Sequence, residues 1–152
     1  MRAHNFGAGP CTLPIEVLEE VRDEFLDFAG SGMSLVELSH RSAEYDAVHE
    51  ETLRLTRSVS GAPEDFAILF VQGGATLQFG MIPMNLLSST ESAGYVVTGS
   101  WAKAAFSDAK TVGNAYAPWD GADHGYTTMP AAGEVTVEPG TRYLHVTTNE
   151  TI

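Results

Sequence analysis

The sequence predicts an α/β fold, a mostly parallel sheet flanked by helices, on three observations. The run Phe66-Ala67-Ile68-Leu69-Phe70-Val71 is apolar throughout and opens through Gln72-Gly73-Gly74-Ala75-Thr76 into a helical stretch. A second run, Gly94-Tyr95-Val96-Val97-Thr98-Gly99, leads into another helical stretch. A third, Arg142-Tyr143-Leu144-His145-Val146-Thr147, follows near the end of the sequence. Apolar runs without alternation suit strands buried on both faces, and strand followed by helix is the grammar of parallel sheets.

Composition agrees with a globular chain. The 152 residues include 43% hydrophobic side chains, and 8 Lys+Arg against 20 Asp+Glu give a net charge of −12. That length suits one domain with its own core rather than two. A strongly acidic chain lacks the basic face needed to displace counterions from nucleic acid or to bind an anionic membrane. The single cysteine, Cys11, permits neither an intrachain disulfide nor a cysteine-based zinc site, which fits a reducing, cytoplasmic address. No run approaches the roughly 20 apolar residues of a membrane helix, and no apolar signal stretch follows Arg2.

In chain order, residues 1–13 hold Gly7, Gly9 and Pro10 with Asn5 and Thr12, a composition that reads as an N-terminal arm. From Pro14, a residue suited to a first helical position, Leu18, Val21, Phe25 and Phe28 recur at helical spacing until Gly30 and Gly32. Glu16, Glu19 and Glu20 lie toward the positive end of that helix. Met33 to Leu38 is a short apolar-polar stretch before Ser39-His40-Arg41-Ser42. A second helix then carries Tyr45, Val48, Thr52, Leu55 and Val59, with Ser42 as N-cap.

Beyond the Phe66–Val71 strand, a helix is expected over Leu77 to Leu87 despite Pro83, then the strand at 94–99 and a helix from about Ser100 to Val112. In the remainder, Pro118-Trp119-Asp120-Gly121 reads as an aromatic loop, Tyr126 to Met129 as a possible strand and Arg142 to Thr147 as a better one. No internal repeat or linker interrupts the chain.

Gly73-Gly74-Ala75-Thr76 sits where a strand turns into a helix, so backbone N–H groups there can cradle an anion such as phosphate, although glycine turns also serve packing alone. The pattern is neither a Walker A loop nor G-x-G-x-x-G. His40-Arg41 is the one adjacent pair of potential cations in the sequence; Arg41 can grip a carboxylate or phosphate with both arms, or pair locally with Glu37 or Glu44. Trp101 lies just past a strand's C-terminal end, where open α/β sheets place ligands; its indole can stack on a flat ring or pack between helix and sheet. Thr151 stands at a similar strand exit, as a ligand donor or a turn cap. The histidines show no metal-ligand spacing, and Lys103 and Lys110 fall on one helix surface.

Taken in order, Asn5-Phe6-Gly7-Ala8-Gly9-Pro10 with Leu13-Pro14, Leu38-Ser39-His40-Arg41-Ser42 with Tyr45 and His49-Glu50, Phe70 to Phe79 with Met81 to Leu86, Thr98-Gly99-Ser100-Trp101 and Asn149-Glu150-Thr151-Ile152 resemble the N-terminal part of the phosphoserine aminotransferases. These are class V pyridoxal-phosphate enzymes with the aspartate-aminotransferase-like fold. The resemblance runs along nearly the whole chain, more loosely between about residues 113 and 140. It implies an incomplete cofactor-binding large domain over residues 14–152, without the C-terminal small domain. It implies further that Gly74, Ala75 and Thr76 form the turn that meets the phosphate of pyridoxal 5'-phosphate, that Trp101 stacks on the pyridine ring, and that Thr151 bonds the ring hydroxyl. His40 and Arg41 are implied to reach a neighbouring subunit's site in a homodimer and hold the acidic end of the substrate. Thr76 stands where some members carry Arg.

The activity the resemblance implies is amino transfer between L-glutamate and 3-phosphohydroxypyruvate in serine biosynthesis. The cofactor-anchoring lysine and the aspartate that pairs with the pyridine nitrogen lie, in that family, beyond the position of Ile152, so this chain alone is expected not to turn over. Alternative readings are a class V aminotransferase for another acid, a non-catalytic binding or dimerisation module derived from the family, and a small α/β phosphate-binding domain of other descent.

Overall fold

The structure, a computed structural model, describes residues 2–7 and 11–150. The chain groups into two compact units, Met1–Leu69 and Phe70–Ile152, a division that falls inside residues 14–152.

In the first unit, residues 2–7 and 11–14 form neither helix nor strand. The Asn5 side chain accepts from the Gly7 N–H at 2.9 Å, and the Thr12 hydroxyl donates to the Asn5 carbonyl at 2.8 Å. Helix α1 spans Ile15–Glu24 with Pro14 as its N-cap, so it begins one residue later than the sequence suggests. Glu16 in the first turn and Arg22 in the last both complement the helix dipole. The helix stops before Phe28 because Asp27 leaves helical geometry, at φ −146° and ψ 86°, and its carboxylate accepts from the Gly32 N–H at 2.7 Å. A local side-chain turn thus outcompetes the apolar periodicity, and Phe28–Gly30 is left as one 3₁₀ turn.

Ser34 and Glu37 then close the 3₁₀ turn Leu35–Glu37, the Ser34 N–H donating to Glu37 Oε2 at 3.1 Å and the Glu37 N–H to the Ser34 carbonyl at 2.9 Å. Helix α2 spans Ala43–Ser60, capped by Ser42, whose hydroxyl accepts from the Tyr45 N–H at 3.3 Å. It ends at Gly61 in the left-handed region, as a glycine C-cap does. Neither α1 nor α2 contains a buried residue.

The expected strand over Phe66 to Val71 does not form, and Phe66, Leu69, Phe70 and Val71 are all exposed. A strand exists only where a neighbour takes its backbone donors and acceptors, and among the described residues the ladders join β1 to β2 and β3 alone. The Arg57 guanidinium instead holds the carbonyls of Pro63 and, at 2.8 Å, Phe66.

The second unit opens with α3, Gly74–Leu86, which starts three residues before the apolar pattern does and contains Pro83, itself buried. Proline lacks the N–H for the helical bond one turn back, and the helix ends three residues later. Strand β1 (Ser92–Val97), helix α4 (Ser100–Val112), strand β2 (Asn114–Asp120), the 3₁₀ turn Gly121–His124 and strand β3 (Thr141–Val146) follow. The sheet is parallel with order β2-β1-β3, so β1 is central and buried along nearly its whole length. Ala93, Tyr95 and Val97 on one face of β1 meet Ala105 and Ala109 of α4, with Ala102 also buried. Alanines at a spacing of 3 and 4 leave no side chain to hold the helix off the sheet.

Two expectations in this unit are corrected. The aromatic loop around Pro118 is part of β2, which tolerates proline because among the described residues it is an edge strand and because it bulges there: Gly94 pairs with Tyr116 but Val96 with Trp119, so Tyr95 faces both Ala117 and Pro118. Tyr126 to Met129 is not a strand. Gly125 and Tyr126 both take positive φ, 59° and 58°, and the Tyr126 N–H returns to the Gly121 carbonyl at 2.9 Å, a turn that cannot continue as a ladder.

Candidate functional site

The site begins at the start of α3. Gly73 and Gly74 are consecutive left-handed residues, φ 87° and 58°, and no side chain caps this helix among the described residues. A Cβ on Gly73 would lie 2.4 Å from that of Leu77, so both conformation and space require glycine there. The first helical bond runs from the Leu77 N–H to the Gly73 carbonyl, which leaves the N–H groups of Gly74, Ala75 and Thr76 without intrahelical acceptors. With the positive end of the dipole behind them, they form a seat for an anion.

Beside that seat is a cavity of about 360 Å³ lined by Ala75, Thr76, Phe79, Trp101, Thr147, Thr148 and Asn149. The structure therefore brings three of the sequence's site residues together, Ala75, Thr76 and Trp101; Gly74 lies one residue before Ala75 but does not line the cavity, and Thr151 lies outside the described residues. Trp101 is 44% exposed and stands outside the buried core of the sheet, so it is a wall of the cavity and not packing between helix and sheet. A flat aromatic wall, an uncapped helix start and a rim of hydroxyl and amide groups can together hold a planar, phosphorylated ring. A second cavity of about 450 Å³, lined among others by Thr98, Tyr126, Met129 and Glu150, shares Thr147 and Thr148 with the first.

Beneath the cavity His145 Nε2 lies 3.1 Å from the Thr147 hydroxyl, and the imidazole stacks on Tyr95 with ring centres 5.0 Å apart. Burial pushes the His145 pKa below its ordinary value, against a smaller upward pull from the Glu150 charge. Burial also pushes the Tyr95 hydroxyl well above the usual range, aided by its 2.7 Å hydrogen bond to the Tyr143 hydroxyl.

Sequence reasoning did not single out Phe79, Thr147, Thr148 or Asn149 as site residues. The last three follow directly on β3, and the rule that ligands sit beyond the carboxyl ends of parallel strands would have found them. Glu150 was also missed, since its partners are about fifty residues away and carry no sequence signal. Its carboxylate accepts from the N–H groups of Trp101 at 3.0 Å and Ala102 at 2.7 Å and from the Thr98 hydroxyl at 3.3 Å.

His40 and Arg41 belong to the first unit, on an exposed turn in which the Arg41 N–H donates to the Ser39 hydroxyl at 3.2 Å. The alternative local pairing does not form: among the described residues no ion pair involves Arg41, and Glu37 is engaged by the Ser34 backbone. Among the described residues no cluster of His, Cys, Asp or Glu could hold a metal ion, and no helix is long and apolar enough to cross a membrane.

Comparison with known proteins finds relatives along nearly the whole chain. The phosphoserine aminotransferase of Niallia circulans is 46% identical over 151 residues, covering 99% of this chain and 42% of the relative. That of Bacillus subtilis is likewise 46% identical, with the same coverage. The solved phosphoserine aminotransferase from Bacillus circulans subsp. alkalophilus superposes with a TM-score of 0.89 at 46% identity, over 99% of this chain and 42% of that one. The pyridoxal-phosphate-bound phosphoserine aminotransferase from Trichomonas vaginalis gives 0.83 at 34% identity, over 94% of this chain and 40% of that one. The chain thus spans about 42% of the length of the curated relatives it matches. The family described as Aminotransferase class-V matches residues 3–152, and with sequence and backbone agreeing over that span, the chain belongs to the class-V aminotransferases.

Proposed function

We propose that this chain forms the phosphate seat and ring-stacking wall of a pyridoxal-phosphate site in a phosphoserine aminotransferase, an enzyme that moves an amino group between L-glutamate and 3-phosphohydroxypyruvate in serine biosynthesis. The observation that carries the reading is the cavity in which the uncapped start of α3 meets the Trp101 indole. The residues present suit the cofactor: an anion seat, a flat wall and hydroxyl donors border one space.

When bound, pyridoxal phosphate supplies an electron sink for charge that develops on the amino-acid carbon. The N–H groups at Gly74, Ala75 and Thr76 and the Thr76 hydroxyl hold the phosphate through charge-assisted hydrogen bonds. Trp101 covers one ring face and excludes water from it. Thr151 donates to the ring hydroxyl. His40 and Arg41 serve the partner subunit's site in a homodimer, where a guanidinium that forms no ion pair among the described residues can grip the acidic end of the substrate in its two-pronged geometry. Residues 1–13 act as an arm and residues 14–152 as part of the large cofactor domain of a cytoplasmic enzyme. Neither lysine is assigned a part: both are exposed on α4, and Lys110 sits 3.8 Å above the Phe106 ring.

The test compares pyridoxal 5'-phosphate with pyridoxal, by retention on dialysis and by tryptophan quenching. At least tenfold tighter binding of the phosphorylated form is expected. Equal retention would remove the phosphate seat from the reading.

A further inference from the structure

Two helices begin beside the candidate cavity, and their N-termini are treated oppositely. Helix α3 starts at Gly73 with no side-chain cap among the described residues. Helix α4 starts at Gly99, which has no side chain to offer, yet the N–H groups of Trp101 and Ala102 are both satisfied by the carboxylate of Glu150, 49 and 48 residues away. The Thr98 hydroxyl, on a residue only 4% exposed, adds a third donor to the same carboxylate. A helix N-terminus favours one negative charge within its first turn, and here the chain supplies that charge itself.

Resting on the cofactor site proposed above, we propose that Glu150 is a positioning residue. It ties the exit of β3 to the first turn of α4, fixes the backbone from which the Trp101 indole projects, and occupies the α4 anion position so that an incoming phosphate is left with α3. The Trp101 N–H is one of the bonds it makes, so loss of the clamp acts on the residue that walls the cavity. Asn149 and Thr148, which also line that cavity, precede Glu150 directly, so the same clamp holds them as well.

The experiment uses the 152-residue chain and its Glu150→Ala and Glu150→Gln variants. Without any ligand, amide hydrogen exchange at Trp101 and Ala102 is expected to speed up at least tenfold in Glu150→Ala and by less in Glu150→Gln, which keeps one acceptor oxygen but loses the charge. The amides of Tyr95 and Val96 in β1 are expected to stay protected, which separates release of the clamp from unfolding; if Glu150→Ala unfolds, Glu150→Gln carries the comparison. Added inorganic phosphate is expected to perturb the Trp101 and Ala102 amides in Glu150→Ala and not in the wild-type chain. Pyridoxal phosphate is expected to quench Trp101 less in the variants while still perturbing Ala75 and Thr76.

Unchanged exchange at Trp101 and Ala102 in both variants overturns the clamp. Faster exchange with undiminished quenching overturns the positioning of the indole and leaves the cofactor reading standing. Faster exchange with no pyridoxal phosphate effect on the wild-type chain supports the clamp while overturning the cofactor reading and the indole role that rests on it.

Discussion

The Tyr95 hydroxyl and the Tyr143 hydroxyl share a 2.7 Å hydrogen bond between adjacent parallel strands β1 and β3, joining two phenols separated by 48 residues of sequence. Each hydroxyl partners the other in the half-buried region against the α4 face of the sheet. Removing either one leaves a polar group without its partner, so Tyr95→Phe and Tyr143→Phe are each expected to cost about 1–3 kcal/mol. Removing both spares that orphan, and the double variant is expected to cost less than the sum. Urea unfolding of the four chains measures the coupling; additive costs would contradict it.

His145 makes stability depend on pH. Its folded-state pKa is lowered from the ordinary 6.5 by burial, so the unfolded chain binds the proton more readily than the folded one. The stabilisation is therefore full above pH 6.5 and is lost as pH falls below it toward the depressed folded value. Between pH 7.5 and 5.5 the urea midpoint of the wild-type chain is expected to drop more than that of His145→Gln. Equal drops would assign the effect to other groups.

The glycine pair at the start of α3 separates space from conformation. Gly74→Ala meets nothing within 4 Å and is expected to cost only the left-handed backbone penalty, about 1–2 kcal/mol. Gly73→Ala places its Cβ 2.4 Å from that of Leu77 and is expected to cost about 1–3 kcal/mol more. Thermal unfolding of the two variants side by side reads the difference.

Trp101 is the expected ring platform. At 44% exposure its removal takes little from the core, so Trp101→Ala is expected to leave the thermal midpoint within a few degrees. Loss of stacking is expected to weaken pyridoxal phosphate binding by about 1–3 kcal/mol, with Trp101→Phe recovering part of it. Equilibrium dialysis, which does not depend on the indole signal, measures both variants.

The legible parts of this chain are those governed by local rules. Ser42 as cap of α2 and helix α4 over Ser100–Val112 follow from spacing and capping alone. The parts that misled are those decided by partners distant in sequence. Phe66 to Val71 has strand composition but no ladder neighbour among the described residues, while Pro118 sits in a strand because an edge position and a bulge accept it. The same division holds in the candidate site. Ala75 and Thr76 announce themselves through the glycine turn, and Trp101 through its place after a strand. Glu150 does not, because what matters is its reach to α4 through folded space.

The central claim is that one ligand engages the α3 start and the Trp101 wall together. Backbone and indole amide NMR of the labelled chain during a pyridoxal 5'-phosphate titration tests it most directly. The Ala75 and Thr76 amides and the Trp101 indole N–H are expected to shift along a single saturation curve. Shifts confined to the surroundings of Lys103 and Lys110, with Ala75, Thr76 and Trp101 unmoved, would contradict it.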